Sequence, residues 1–552
     1  HLQRKTKLRR TKLMAKQPSN LLNFSTATFL TALLLLGCSH SDEKALDRQV
    51  FRYNEHKNIS SLDPAFAKDN ANIWAVHQLF NGLVQLDENM KIRPSIANEW
   101  EISENGTLYT FYLKPDVYFH DHEKFGPTKT RLVKAADFEF SFKRLLDPKL
   151  ASPGVWVLSS VDKFITKDPH TFQIKLKHPF PAFLGLLSMK YCSVVPKEII
   201  EYYGSDFRSH PIGTGPFFKK KWSENNKLVF RKNQRYFEND SAGNKLPYLE
   251  AIAITFLADK QSEYSQFIQG NLDFISGLDA AYKDDILTPK GKLQAKYKPR
   301  INMLKSPYLN TEYLGFYMDS DIPEVQSRLL RQAFNYGFDR NKMITYLRNN
   351  IGSPANGGFI PRGLPGFKPT IGFDFSPEKA KALVTEYKTQ TNDPNPTLKL
   401  STTENYLSFC EFIQRALLDI GLNISIDVMP ASALKSAKAN GKTAVFRASW
   451  VADYPDAQNY LSLFYSKNFT PNGPNYTHFK NEEFDRMYEN AMTETNDSSR
   501  IELYEKMDAV VMKEAPITVL FYDEVVRFTQ KNIEGLGINP TNLLELKKVR
   551  KN

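Results

Sequence analysis

Cysteine is almost missing from this chain, with only Cys38, Cys192 and Cys410 among 552 residues. That is too few for a disulfide framework, and no C-x-x-C pair is present to clamp zinc or run thiol exchange. Cys192 and Cys410 read as buried free thiols, or as a pair that an oxidising compartment would permit to bridge. Other absences exclude more. There is no G-x-S-x-G elbow, no Walker phosphate loop and no H-E-x-x-H helix, so the nucleophile, anion cradle and zinc pair that those motifs supply are not announced. No repeat recurs at 20 to 50 residues, which excludes solenoids and propellers.

Acidic side chains are the minority, 61 against 73 Lys plus Arg, for a formal net charge of +12. The excess is uneven: Arg4, Lys5, Lys7, Arg9, Arg10, Lys12 and Lys16 lie in a leading segment without one acid. The remainder is only mildly basic, which argues against a nucleic-acid partner. Lys547, Lys548, Arg550 and Lys551 have no aromatic stacking motif beside them and read as a solvated end. What is present is a globular composition, 41% apolar, 13% aromatic and 24% charged, in a chain long enough for about two to four compact units.

Residues 1–37 form an address. A basic region precedes the apolar run Phe29 to Leu36, which is short of the about 20 residues of a transmembrane helix and fits a secretory signal. Leu35-Leu36-Gly37-Cys38 resembles a bacterial lipobox, which implies diacylation of Cys38; the alternative is a soluble secreted protein with a chance cysteine. Two or three acyl chains anchor stably where one is marginal. Met14 is a candidate start, and residues 38–45 read as a lipidated tether. The expected location is the bacterial cell envelope, on a membrane and facing the periplasm or exterior.

The mature chain mixes periods. Strand alternation appears at Leu108–Leu113, Thr171–Leu176, Lys227–Arg231, Ile252–Phe256 and Ile424–Val428. Helical spacing links Ile73, Val76, Phe80 and Leu83, then Phe138, Phe142 and Leu145, and then Val325 through Leu329 and Ala333 to Tyr336. Ser376-Pro377 is a helix start, and Gly421 is a left-handed stop after the helix through Phe409, Ile413 and Leu417. Ser499-x-x-Glu502 has capping-box spacing. The class is mixed α/β.

His120-Asp121-His122-Glu123 offers metal-ligand types on alternating faces, but no second cluster completes a site, and the stretch reads as a polar turn. No nucleophile and base are assembled. The expectation is no enzyme, no catalytic residue, no metal and no cofactor, with a secreted metal-dependent hydrolase around His120 and His122 as the other class.

Binding is better supported. Ser61-Leu62-Asp63-Pro64, Ile92-Arg93-Pro94 through Trp100, Asn105 to Phe111, Val133 to Arg144, Pro211 to Phe217, and Arg328 to Phe334 with Asp339-Arg340 follow one another in the order of a known family. Together they resemble the peptide/nickel-type solute-binding proteins of ABC importers, over about residues 48 to 545, most nearly the oligopeptide binders. The resemblance implies two lobes closing on a ligand, with an inserted domain in the first. Lobe I would take 46–85, 201–305 and 516–552, the insert 86–200, and lobe II 306–515.

In Phe446 to Asp456, Asp453 matches the W-x-x-D aspartate that holds a peptide's α-ammonium group, a charge-assisted bond of about 1.5 to 3 kcal/mol; alternatively it caps a turn before Pro455. Trp450, with Tyr454 nearby, would wall a side-chain pocket or serve the core. Arg447 and Lys438 match cations near the ligand carboxylate, or are solvated. Strand-like edges that hold the peptide backbone are placed at Asn72, Ile73 and Trp74 and between Asn310 and Tyr313. The implied partners are short peptides and an ABC permease, and a monomer is expected. A nickel chelate, haem or an oligosaccharide is the alternative solute.

Overall fold

The computed structural model describes residues 49–552. The signal segment, Cys38 and the whole of the 38–45 tether lie outside the described residues. No described helix is long and apolar enough to cross a membrane.

The strands, in chain order, begin with β1 (Val50–Asn54), β2 (Val84–Leu86), β3 (Ile92–Pro94), β4 (Ala97–Ser103) and β5 (Leu108–Leu113). Next come β6 (Val161–Asp168), β7 (Thr171–Leu176), β8 (Phe217–Ser223), β9 (Lys227–Lys232), β10 (Ala251–Thr255) and β11 (Phe274–Ser276). The last six that matter here are β12 (Ile301–Phe316), β13 (Ser353–Pro354), β14 (Thr397–Thr402), β15 (Asn423–Val428), β16 (Val445–Val451) and β17 (Ile517–Gln530). Eleven of them form one mixed sheet in the order β15-β14-β16-β12-β17-β11-β1-β10-β9-β8, with β13 on β17.

The two-lobed plan comes from β12 and β17, 16 and 14 residues long. They pair over Ile301 to Pro307 with Glu524 to Gln530, and again over Thr311 to Gly315 with Ile517 to Tyr522. The register breaks between Pro307 and Thr311, where proline has no N–H to give the ladder. At the break the Leu309 N–H donates to Pro540 O at 2.8 Å. On one side β17 continues onto β11, and on the other β12 continues onto β16. The ribbon thus runs from one lobe into the other. Ile517, Val519 and Tyr522 join the second lobe's core, and Val526 and Phe528 the first's.

The inserted domain is a separate four-stranded sheet, β4-β5-β7-β6. Helix α2 (Ala135–Leu146) covers it, following α1 (Asn70–Leu79) of the first lobe. The stripe Phe138, Phe142, Leu145 is fully buried, and Phe138 and Phe142 meet Phe172 of β7 at 6.0 and 5.8 Å between ring centroids. Spacing of four and three residues places these side chains on one helical face.

Alternation marks β5 and β7 to the residue. Gly421 has φ +82°, and the Leu422 N–H closes back on Leu417 O at 3.1 Å. Three of the helix expectations need correction. Helix α1 ends at Leu79, Phe80 is extended, and Leu83 lies beyond it. The stretch from Val325 to Tyr336 is two helices, Pro323–Gln326 and Arg328–Tyr336, because Ser327 takes an extended conformation and caps the second by accepting the Leu330 N–H. The helix at Asp497–Glu514 starts before Ser499: Asn496 is its cap and accepts the Ser499 N–H at 3.0 Å.

The cationic end is docked rather than solvated. Lys547 is buried against Glu238 at 2.6 Å, Lys551 reaches Asp273 at 2.9 Å, and Arg550 lies 3.8 Å above the Tyr248 ring. Cys192 and Cys410 are buried free thiols, one in the inserted domain's core and one in the second lobe's.

Candidate functional site

Strand β16 carries Arg447 and Trp450 and delivers the chain to Asp453. One edge of β16 pairs with β12 along Val445 to Val451. The other meets β14 only at Val445 and Phe446. From Arg447 to Val451 the second edge has no strand opposite it among the described residues. Outward N–H and C=O groups on such an edge are a template for an extended chain.

Just past this edge, the buried Asn459 accepts the Trp450 indole N–H at 2.7 Å and the Asp453 backbone N–H at 3.4 Å. The Asp453 side chain is open to solvent, yet the protein crowding it pushes its carboxyl pKa above the ordinary value, against a hydrogen bond from Asn459 that lowers it. A group both reachable by water and desolvated lies in a cleft, since a convex surface would leave it fully hydrated. Tyr191 of the inserted domain is pushed up to about 12 by burial, then by Asp453 and by Asp69 of the first lobe. Both carboxylates therefore lie near enough to the same phenol to act on it electrostatically, which brings Asp453 of lobe II, Tyr191 of the inserted domain and Asp69 before α1 into one neighbourhood. Tyr454 turns inward: its hydroxyl donates to Gln458, and its ring packs 6.4 Å from Trp156.

The two cations differ. Arg447 is committed: Nη2 lies 2.5 Å from Glu312 Oε2, and the guanidinium stacks 3.3 Å from the Tyr406 ring centre. Its Nε has no partner. Glu312 also accepts from Asn310 Nδ2 at 3.0 Å and the Tyr406 hydroxyl at 3.4 Å. Lys438 makes no ion pair among the described residues; it sits 4.6 Å over the Tyr476 ring. Burial, followed by Arg447, brings its pKa down to about 8.

The two expected backbone edges are corrected. Asn72, Ile73 and Trp74 lie in α1, whose N–H groups are turned along the helix. The Asn72 amide is spent on Ser60 and Asp69, Ile73 packs on the first lobe's core, and the Trp74 indole donates to Asn542 O at 2.8 Å. Asn310 to Tyr313 belong to β12; Thr311 to Tyr313 have β16 on one side and β17 on the other, so no free edge exists there, while Asn310 pairs with Val451 of β16 and lies in the register break on the β17 side. Tyr313 is buried edge-on to Phe359 at 5.0 Å. The open edge is the far side of β16 instead. Sequence reasoning missed Asn459, Glu312, Tyr406, Tyr191 and Asp69; only Asp69 carried a local signal, as a carboxylate immediately before a helix.

His120 and His122 are occupied. His120 is buried, with its ring between Gly215 O at 3.0 Å and the Gly213 N–H at 3.2 Å, and burial brings its pKa down to about 4. His122 Nε2 lies 3.0 Å from the Tyr203 hydroxyl. Among the described residues no three ligating side chains gather to hold a metal. A hollow of about 1000 Å³ between Asp63 and Phe66 on one side and Phe140 and Leu150 on the other contains none of the residues at Asp453.

A two-lobed binding protein with a cleft at the lobe junction is the class that this fold and site define. Residues 91–472 match the bacterial extracellular solute-binding proteins, family 5 (middle), and the chain belongs to that family, the peptide/nickel-type solute-binding proteins of ABC transporters, which bind rather than catalyse. It is similar to the dipeptide-binding protein DppE of Bacillus subtilis, 23% identical over 93% of this chain and 94% of the other. Among solved structures it resembles the ABC transporter-associated periplasmic binding protein DppA of Helicobacter pylori in complex with the peptide STSA (TM-score 0.74, 23% identity, 91% and 98% of the two chains). It also resembles NikZ of Campylobacter jejuni in complex with Ni(L-His) (TM-score 0.71, 20% identity, 89% and 96%).

Proposed function

We propose that the protein captures short peptides between its lobes, with Asp453 holding the free α-ammonium group, and hands them to an ABC permease. The observation that carries this reading is Asp453 itself, accessible yet desolvated at the end of an unpaired strand edge. A peptide's first residue presents an ammonium for the carboxylate, and the backbone that follows is an extended strand for Arg447 to Val451 to pair with. Such pairing makes no demand on peptide side chains. In this reading Lys438, which has no carboxylate partner among the described residues, receives the C-terminal end. Closure about the β12/β17 ribbon belongs to the hinge motions of two-lobed periplasmic binding proteins, and excluding water strengthens each charged contact. The division into 46–85, 201–305 and 516–552 for lobe I, 86–200 for the insert and 306–515 for lobe II goes with this proposal, as do a lipid anchor at Cys38 and a monomeric state.

Calorimetry with an unblocked tripeptide and its N-acetylated form tests it. Micromolar binding corresponds to about −8 kcal/mol, and Asp453→Ala is expected to weaken the unblocked peptide at least about tenfold while leaving the acetylated one equally weak. Unchanged affinity in Asp453→Ala refutes the assignment. Native mass spectrometry that finds a nickel chelate, haem or an oligosaccharide co-purified, with no peptide, would replace the solute while keeping the family.

A further inference from the structure

A second hollow, about 420 Å³, opens in the first lobe between the ends of β1 and β11 and the first turn of α1. Trp74, Phe274 and Tyr282 form apolar wall, and the polar lining includes four carboxylates, Glu55, Asp69, Glu263 and Asp279, against two ammonium groups, Lys57 and Lys260. Lys260 is already spent, 2.9 Å from Glu263 Oε2, and the other oxygen of Glu263 accepts the Asn54 amide at 3.3 Å. Glu55 is different. It is 6% exposed, and its Oε1 has no hydrogen-bond partner. Buried polar atoms in native proteins are nearly always paired, so an orphaned carboxylate oxygen in a hollow wall calls for a donor from outside the chain.

The hollow adjoins the Asp453 cleft. Asp69 is close enough to act electrostatically on Glu55 and also on Tyr191, the phenol on which Asp453 also acts. Asn70 of its lining is joined to the break in β12 by a hydrogen bond with the Tyr308 side chain.

We propose that this hollow is a cation-selective subsite that receives the ammonium or guanidinium end of a lysine- or arginine-type side chain. The inference rests on the peptide reading for its ligand, but its chemistry is independent of Asp453. An entering cation gives Glu55 Oε1 its donor and offsets the surplus of carboxylates, while the rings of Trp74, Phe274 and Tyr282 cover the methylene stem. A neutral side chain of the same length meets the same rings and leaves the oxygen unpaired, so the hollow discriminates by charge.

A proton is coupled to this step. Burial, then Glu263 and Asp69, outweigh Lys260 and Lys57 and push Glu55 up to about 8. His56 is held toward its neutral form by burial and Lys260, and Asp279 and Tyr282 complete the ionisable lining. At neutral pH Glu55 is therefore largely protonated. A bound cation favours its ionised form, so binding expels a proton and the preference for a cation falls as pH falls.

The test is calorimetry on the full protein with Lys-Ala-Ala, Ala-Lys-Ala and Ala-Ala-Lys, each beside its Nε-acetyl-lysine counterpart, at pH 6.5 and 8, together with 1,5-diaminopentane alone. At one position the lysine peptide should bind about tenfold tighter than its acetylated partner, more so at pH 8 than at 6.5. Glu55→Gln, with Asp279→Asn as the second variant should the first fail to fold, should erase most of that ratio. If no tripeptide binds but the diamine does, and the variant abolishes it, the subsite stands and the peptide reading falls. Equal binding of all pairs, a preference that survives the substitution, or no response to any cationic probe overturns the subsite.

Discussion

Trp450 and Asp453 are tied together through one buried amide: Asn459 Oδ1 accepts the Trp450 indole N–H at 2.7 Å and the Asp453 backbone N–H at 3.4 Å. The Trp450 indole and the backbone of Asp453 are thus positioned as a unit by one side chain. Asn459→Ala is expected to lower peptide affinity about three- to tenfold, since each lost hydrogen bond is worth about 1 kcal/mol. The same variant should blue-shift or quench tryptophan emission as the Trp450 indole loses its acceptor. A titration in which affinity and emission both match the unsubstituted protein would remove Asn459 from this role.

Lys438 and Arg447 should separate in experiment, although both are cations near the cleft. Arg447 is bound to Glu312, so Arg447→Met strands a buried carboxylate and should lower the melting temperature. Lys438 has no such partner, and its pKa of about 8 leaves it charged at pH 7. Lys438→Met should bring peptide acids down to the affinity of the corresponding amides, a loss of about three- to tenfold. Because only the protonated amine attracts a carboxylate, the wild-type preference for acids should shrink as pH rises from 7 to 9. A preference that is flat over that range points to a different anchor.

How much of this was legible in the sequence follows from what each residue does. The family blocks are visible because they are scaffold. Cβ atoms on Gly213 or Gly215 would lie 2.1 Å from Leu79 O and 2.4 Å from Leu79 C, so Pro211 to Phe217 tolerates no larger residue there. Arg340 is buried and donates to Val519 O at 2.7 Å and Asn335 O at 2.9 Å. Period alone marked β5, β7 and α2: the apolar Tyr109, Phe111 and Leu113, and Phe172, Ile174 and Leu176, recur every second residue on one buried face, and Phe138, Phe142 and Leu145 fall on one helical stripe. The backbone edges were misplaced because strand pairing is long-range: nothing local to Thr311, Glu312 and Tyr313 says that both β16 and β17 lie beside them, nor that β14 parts from β16 after Phe446. The tail at Lys547 read as solvated because Glu238, its partner, is some three hundred residues away in sequence.

Asp63 and Arg144 illustrate scaffold chemistry that can be measured. Arg144 forks onto Asp63 with contacts of 3.1 and 2.6 Å, joining the first lobe to helix α2 of the insert, and both side chains are largely buried. Asp63→Ala leaves the guanidinium unpaired and is expected to cost about 3 kcal/mol in urea unfolding. The double substitution Asp63→Leu with Arg144→Met should recover much of that, because replacing both charges removes the desolvation penalty as well as the attraction. A single substitution within about 0.5 kcal/mol of wild type would show that the fork contributes little.

Asp508 gives the molecule a pH-dependent weakness inside the second lobe. It is fully buried and accepts the N–H groups of Phe359 at 2.8 Å and Ile360 at 3.2 Å, yet burial outweighs both and pushes its pKa up to about 7. A folded-state pKa above the unfolded one means that the native form binds the proton more tightly, so this residue's contribution to stability is greatest below about pH 4 and declines as pH rises through 7. A shift of that size corresponds to the order of 4 kcal/mol. Asp508→Asn cannot titrate, but it points an amide at one of the two N–H donors and so starts out less stable. Urea melts at pH 5 and 8 should therefore show the variant clearly worse at pH 5 and the gap narrowing or reversing at pH 8. A gap of constant size at the two pH values would mean that Asp508 stays in one protonation state across the range, with its two backbone donors holding the carboxylate ionised in spite of burial.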